Sequence, residues 1–357
     1  MKDPPASRAI ERLSPTSYEV LQACPLRFSF GRQPGYGVHS GTPATRLGTV
    51  CHHVLDRAVR EGGLRQSNWR DVVQELWDEE LAVEVSSSSN LDHGDPRKWP
   101  GYQLKRARLF EVADSVREFL EDLPSEAEVL TEVTLSANDG LLYGRADLVI
   151  RSKNRHQIID YKSGGVVDRE TQLPRIAYAR QLQLYAYLEH ASSGKWPSTA
   201  HLFPLHGAPV AISVEPTECL ALASDALEAL RDYNAAVPAP QPARPSMEHC
   251  KWCPAATVCA AFWAACSPTW AASVCAVTGT ITNVFSTELG GVTVHVKPLA
   301  GSLDLNGSVV IKNIDPVRFP NVRGFARGEQ IGATGLLADD RGSGYWLGVA
   351  GAITALP

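Results

Sequence analysis

The sequence predicts an α/β (α+β) protein in two parts: a mixed central sheet flanked by helices over residues 1–268, and a small all-β barrel over residues 269–357. Three observations lead there. The chain has 357 residues, more than one hydrophobic core of roughly 250 to 300 residues accommodates. Helical apolar spacing gives way to strand-like runs between Val129 and Tyr161 and then returns. From Cys275 onward the helical pattern is gone.

Taken in order, SPTSYEVLQAC from Ser14 reads as a short capped helix, with Pro15 in its first turn and Cys24 at its end. Helical spacing recurs over Arg46 to Arg60, Trp69 to Val83 and Tyr102 to Leu123, with a loop expected over Glu84 to Pro100. Val129 to Leu135, Leu141 to Ile150 and His156 to Tyr161 read as strands, the first two joined by an Asn-Asp-Gly hairpin. A helix is expected over Thr171 to Glu189, then strands at Thr199 to Pro204 and Pro209 to Val214, then a helix from Pro216 to Ala235. Pro238 to Pro245 is a stiff connector. Five Gly-punctuated β runs follow, beginning VTGTITNVF, GVTVHVKPL, SVVIKNI, QIGATGLLADD and YWLGVAGAIT, which suggest an OB-like barrel.

An apolar fraction of 44% and a charged fraction of 20% describe a soluble globular chain. No window approaches the roughly 18 apolar residues of a membrane span, and the first thirty residues lack a secretory apolar segment. A cytoplasmic location with no membrane partner is the expectation. A net charge of −5 gives no overall attraction to nucleic acid, so any such contact must be local. Arg8 to Arg32 and the run Arg97, Lys98, Lys105, Arg106, Arg108 are the candidate basic stretches, although such runs are commonly solvated helix faces. No phosphate loop of the Walker type is present, so no ATP motor is expected within the chain.

The richest stretch for chemistry is GRADLVIRSKNRHQIIDYKSG. Asp147 starts one expected strand, while Asp160 and Lys162 lie two apart on the next and therefore share a face. Two carboxylates supply the oxygen ligands that Mg²⁺ or Mn²⁺ prefers. A lysine beside them can orient water and offset charge on a phosphoryl group. Asp-x-Lys alone is also the pattern of an ordinary surface ion pair. His52 is a candidate transition-metal ligand, with adjacent His53 as its rival and a plain core histidine as the alternative. Glu132 precedes the hairpin, where it could share a metal with Asp147 or simply face solvent. Gln181 and Tyr185 are four apart on one helix face, as substrate contacts or as a packing pair.

Eight cysteines in a chain expected to be cytosolic favour metal ligation over disulfides. Cys250, Cys253 and Cys259 form C-x₂-C-x₅-C, and Cys24 closes the first helix. Four thiolates suit an iron–sulfur cluster or zinc, and spacing alone leaves both open. Cys51, Cys219, Cys266 and Cys275 read as small core or surface residues.

The ordered set LGTVCHH, Glu132, GRADLVI, IIDYKSG and QLQLY resembles the RecB-type nucleases of the PD-(D/E)XK superfamily over about Ser14 to Cys259. The resemblance implies a restriction-endonuclease-like core. It implies His52, Asp147 and Asp160 as metal ligands with the Tyr161 carbonyl in addition, Lys162 as catalytic lysine, Glu132 as supporting acid, and Gln181 with Tyr185 as the family's Q-x-x-x-Y element. AddB-type and CRISPR-associated members carry one cysteine before the core and C-x₂-C-x₅-C after it. That likeness implies a 4Fe-4S cluster on Cys24, Cys250, Cys253 and Cys259, with Pro254 also matching.

In the terminal barrel Tyr345, Trp346, Phe319, Phe325, Lys312, Arg318, Arg323 and Arg327 are of the types that bind single strands, and equally of the types that build a barrel core or a protein-docking surface. The expected activity is that of a Mg²⁺- or Mn²⁺-dependent DNA exonuclease or end-processing nuclease, acting on single strands in repair, recombination or antiphage defence with a separate helicase or ATPase. The rival classes are a non-catalytic DNA-binding subunit, an iron–sulfur sensor and a site-specific endonuclease.

Overall fold

The structure is a computed structural model that describes residues 6–33, 42–87, 95–168, 170–287, 290–340, 342 and 344–356. Ser14 caps α1 (Pro15–Ala23) by accepting from the Ser17 amide. Cys24 then ends α1 and starts α2 (Pro25–Phe30), a short helix that the apolar spacing did not announce. The helices α3 (Pro43–Arg60), α4 (Trp69–Ser87) and α5 (Tyr102–Glu121) follow. The loop expected from Glu84 is corrected at its start, because α4 continues to Ser87 where Arg46 binds Glu84 through both side chain and carbonyl. Residues 88–94 of that expected loop lie outside the described residues.

Strands β1 (Glu128–Ala137), β2 (Leu142–Arg151) and β3 (His156–Lys162) form the meander. Asn138, Asp139 and Gly140 all take positive φ in the hairpin, the conformation that such turn residues tolerate. Helix α6 (Ile176–Ser193) begins later than Thr171. The Asp168 carboxylate instead accepts the amides of Glu170 and Thr171, and Val167 bridges to Pro174, so the chain turns before it coils. Strands β4 (Thr199–Pro204) and β5 (Val210–Ile212) and helix α7 (Pro216–Ala235) complete this part.

The sheet runs β1-β2-β3-β4-β5, antiparallel except for the parallel β3–β4 pair. It is therefore mixed, with helices on both faces. One apolar core joins it to α1, α6 and α7 through Tyr18, Leu182, Leu188, Ala226 and Leu230. The other joins it to α3, α4 and α5 through Leu47, Val54, Trp77, Leu109 and Val116. With both faces covered, β3 is buried from His156 through Tyr161, which is why its sequence runs apolar.

Helices α8 (Met247–Cys250) and α9 (Ala260–Ala265) carry the cysteine segment. Strands β6 (Ala276–Ser286), β7 (Val292–Gly301), β8 (Val309–Ile314), β9 (Gln330–Ala338) and β10 (Tyr345–Leu356) close a barrel in the order β10-β8-β7-β6-β9. Only β8 and β10 pair in parallel. Phe319 and Phe325 are buried in the barrel core, and Tyr345 packs on it. Those aromatics are thus not free stacking platforms, whereas Trp346 is exposed. The Arg318 guanidinium donates to the Gly351 carbonyl at 3.1 Å and Lys312 pairs with Asp339, so neither is an uncommitted cation. Among the described residues no helix is long and apolar enough to cross a membrane.

Candidate active site

The sheet register lines up three acids. Thr131 pairs with Leu148 and Val133 with Ala146, which sets Glu132 across from Asp147. The β2–β3 ladder ends at the pair Leu148–Ile159, so the next position would set Asp147 against Asp160. Asp147 thus lies within β2 rather than at its start, as the sequence suggested. Past that last pair its Oδ2 accepts the Tyr161 amide at 2.7 Å, a bond that replaces the ladder where the strands part. Glu132 takes φ +50, a left-handed conformation unusual for a strand residue.

Like charges on directly opposed residues of neighbouring strands repel, and the site meets that repulsion with cations. Lys162 forms an ion pair with Asp160, and Arg145 forms one with Glu132. His52 Nδ1 lies 3.7 Å from Asp147 Oδ2. Burial lowers the imidazole's proton affinity, but the nearby carboxylates of Asp147 and Asp160 outweigh it and leave the His52 pKa raised. His53 faces Glu80 at 3.3 Å instead, so the structure brings His52 rather than His53 to the acids.

Burial pushes the Asp160 carboxyl up to about 6, with Lys162 opposing and Asp147 adding to the shift. Glu132 is likewise raised, by burial and by Asp147, against the pull of Arg145. Buried carboxylates that resist ionisation are a fit for a hard cation, whose charge offsets the cost. Asp147, Asp160, His52 and the Tyr161 carbonyl have the donor chemistry for Mg²⁺ or Mn²⁺. Among the described residues, though, no three His, Cys, Asp or Glu side chains already converge as a metal-holding group.

Helix α6 steadies the lysine. Lys162 Nζ donates to Gln181 Oε1 at 2.9 Å, and Gln181 Nε2 donates to Thr16 Oγ1 at 3.2 Å. The Tyr178 ring lies 5.0 Å from the same ammonium. Tyr185 donates its hydroxyl to the Arg145 carbonyl at 2.9 Å, which commits it to β2. The Tyr161 ring packs in the core edge-on to His52, with centroids 6.0 Å apart.

Sequence reasoning missed Asp56, four residues after His52 and so on its helix face. Asp56 is buried, its Oδ2 takes Arg60 at 2.5 Å, and its Oδ1 has no hydrogen-bond partner. Its charge reaches both Glu132 and Tyr161. The His52 to Asp56 spacing was the available signal.

The four expected cysteine ligands share one neighbourhood. Cys24, Cys253 and Cys259 border a small core of Leu26, Phe30 and Ala255, while Cys250, Cys253 and Cys259 border another built on Phe262 and Trp263. Amides of Arg27 and Arg244 point at Cys24 Sγ at 3.5 and 3.4 Å, and that of Phe262 at Cys259 Sγ at 3.4 Å. Amide donors of this kind suit thiolate sulfurs. Burial pushes Cys253 up to about 11, so a bound cation would be needed to hold it as thiolate. Cys51 and Cys219 are buried elsewhere, Cys266 is buried within the Phe262–Trp263 core itself, and Cys275 is half-buried.

Residues 12–260 match a family model described as the PD-(D/E)XK nuclease superfamily. Among solved structures, the chain is similar to one from Eubacterium rectale named "Putative exonuclease", at 12% identity and a TM-score of 0.41, covering 64% of this chain and 83% of that one. Among curated proteins, none matches.

Proposed function

Because the chain belongs to the PD-(D/E)XK nuclease superfamily, which implies phosphodiester hydrolysis, we propose that it is a Mg²⁺- or Mn²⁺-dependent DNA exonuclease or end-processing nuclease. The observation that carries this reading is the alignment of Asp147 and Asp160 beside Lys162. Asp147 and Asp160 would hold the ion, with His52 and the Tyr161 carbonyl as further donors. When bound, such an ion acidifies water and offsets charge on the scissile phosphate. Lys162 orients the nucleophilic water and donates to the charge that develops on the phosphoryl oxygens. Gln181 fixes where that ammonium points. Glu132 supports Asp147 from the neighbouring strand, held by Arg145. Tyr185 acts through the Arg145 carbonyl rather than on substrate.

Cys24, Cys250, Cys253 and Cys259 are assigned a 4Fe-4S cluster with a structural role, joining the first helices to the end of the nuclease part. Anaerobic purification should give iron and visible absorbance that Cys250→Ser removes; zinc in their place overturns the cluster. The division at residues 268 and 269 separates the nuclease from a barrel of OB type. Its strand order and the parallel β8–β10 pair support that reading. Single-stranded DNA with ends is the proposed substrate, a separate helicase or ATPase the proposed partner, and the cytoplasm the proposed location, where thiols stay reduced.

The test is cleavage of 5′- and 3′-labelled linear and circular DNA with Mg²⁺ or Mn²⁺. Linear substrates should be degraded from an end, and Asp160→Ala and Lys162→Ala should each abolish the activity while keeping the fold. Cutting of circles at fixed sequences would overturn the exonuclease reading in favour of a site-specific endonuclease.

A further inference from the structure

The residue immediately after Lys162 is held from two sides. Lys105, on α5, donates from Nζ to the Ser163 carbonyl at 3.0 Å. Helix α3 presses on the same residue, since a Cβ added to Gly48 would lie 2.8 Å from Ser163 Cβ and 2.9 Å from its Oγ. Lys105 therefore carries its charge at a fixed place against the residue that follows Lys162 in the chain.

That charge has no carboxylate partner among the described residues. Along α5, Arg117 pairs with Asp114 and Glu121 and Arg106 donates to the Gln74 amide oxygen, whereas among the described residues Arg108, like Lys105, has no carboxylate partner. Burial lowers the Lys105 pKa, with the Cys51 thiol opposing and Arg108 adding to the effect. A half-buried ammonium satisfied only by a carbonyl keeps donors free for an anion that arrives with a ligand. In a site that binds nucleic acid, the abundant anion is the next phosphate of the strand, and such contacts position the substrate.

We infer that Lys105 is a substrate-binding residue, its ammonium taking a phosphate next to the scissile one in a bound DNA strand. This rests on the nuclease reading for the identity of the anion. A lysine serving only to hold the Ser163 turn would affect folding instead, and the two roles part in their response to salt.

The experiment measures binding of a fluorescein-labelled 20-nucleotide oligothymidine by anisotropy, without divalent ions, across a salt series. Lys105→Ala should weaken binding about tenfold and reduce the slope of log affinity against log salt by about 0.7, the value for one phosphate contact on a single strand. Lys105→Arg should restore both. With Mg²⁺ or Mn²⁺, Lys105→Ala should raise KM about tenfold and change kcat less than about threefold. An unchanged salt slope in Lys105→Ala overturns the inference, whether affinity holds or falls together with thermal stability. If the wild type binds DNA with the predicted slope change but never cleaves, the Lys105 contact stands and the hydrolase reading falls. If the wild type binds no DNA, both fall.

Discussion

Glu132 and Asp147 face one another across the β1–β2 ladder, between the pairs Thr131–Leu148 and Val133–Ala146. With Asp160 next in line on β3, the fold concentrates negative charge at the point where β2 and β3 separate. Such an arrangement costs stability in the absence of a cation and has an evident use in its presence.

Asp160 should therefore link stability to pH in metal-free protein. Its folded pKa of about 6 lies above the unfolded carboxylate value. The group's contribution is full below the unfolded pKa, near 4, and is lost as pH rises through 6. Melting temperature with chelator should fall across that window. Asp160→Asn should flatten the slope, and saturating Mn²⁺ should raise the wild-type melting temperature at pH 8 but not that of the variant. A variant that gains as much from Mn²⁺ as the wild type would remove Asp160 from the ligand set.

Gln181→Leu leaves the Lys162 ammonium without its α6 acceptor. The lysine then keeps Asp160 and the Tyr178 ring but loses its hydrogen bond to α6, and kcat should fall about tenfold, the value of one charge-assisted hydrogen bond, with KM little changed. Single-turnover rates check this. Gln181→Glu, which keeps an acceptor, should lose less.

Gly144 has no room for a side chain. A Cβ there would stand 2.7 Å from the Tyr185 ring and 3.1 Å from Pro15 Cδ. Gly144→Ala should destabilise the fold by about 1–3 kcal/mol, the usual cost of overpacking. It should also displace Tyr185 from the Arg145 carbonyl and reduce cleavage further. Urea unfolding measures the first effect, and rates at matched folded fraction the second.

At the far end of the sheet, Glu189 is fully buried and receives Arg151 at 2.7 and 2.9 Å and His156 at 2.7 Å. Burial alone would raise its pKa, but the bonds from His156 and Arg151 prevail and hold it at about 2. A depressed carboxylate stabilises above its unfolded pKa, near 4, and that stabilisation is lost as pH falls toward 2. Glu189→Gln should cost about 3–5 kcal/mol at neutral pH and weaken the acid transition between pH 4 and 2. Acid titration followed by circular dichroism tests it, and an unchanged profile would refute the assignment.

Much of this was legible locally. Alternation placed Asp160 and Lys162 on one face of β3, and they pair directly. Helical spacing placed Gln181 on the face that meets the sheet, and the five β runs all became barrel strands. The start of α6 was less legible, because Pro174 and the Asp168 turn compete with a helical pattern that is blind to them.

The sequence by itself determined which residues are acids, bases and thiols, and, through short-range periodicity, which elements carry them. Tertiary structure alone decided that Glu132, Asp147 and Asp160 fall in one row, that His52 and not His53 turns toward them, and that Lys105 reaches Ser163 across 58 residues. The physical reason is range. A periodicity of two or 3.6 residues fixes direction within one element, whereas strand register and helix docking are set by packing between elements distant in the chain.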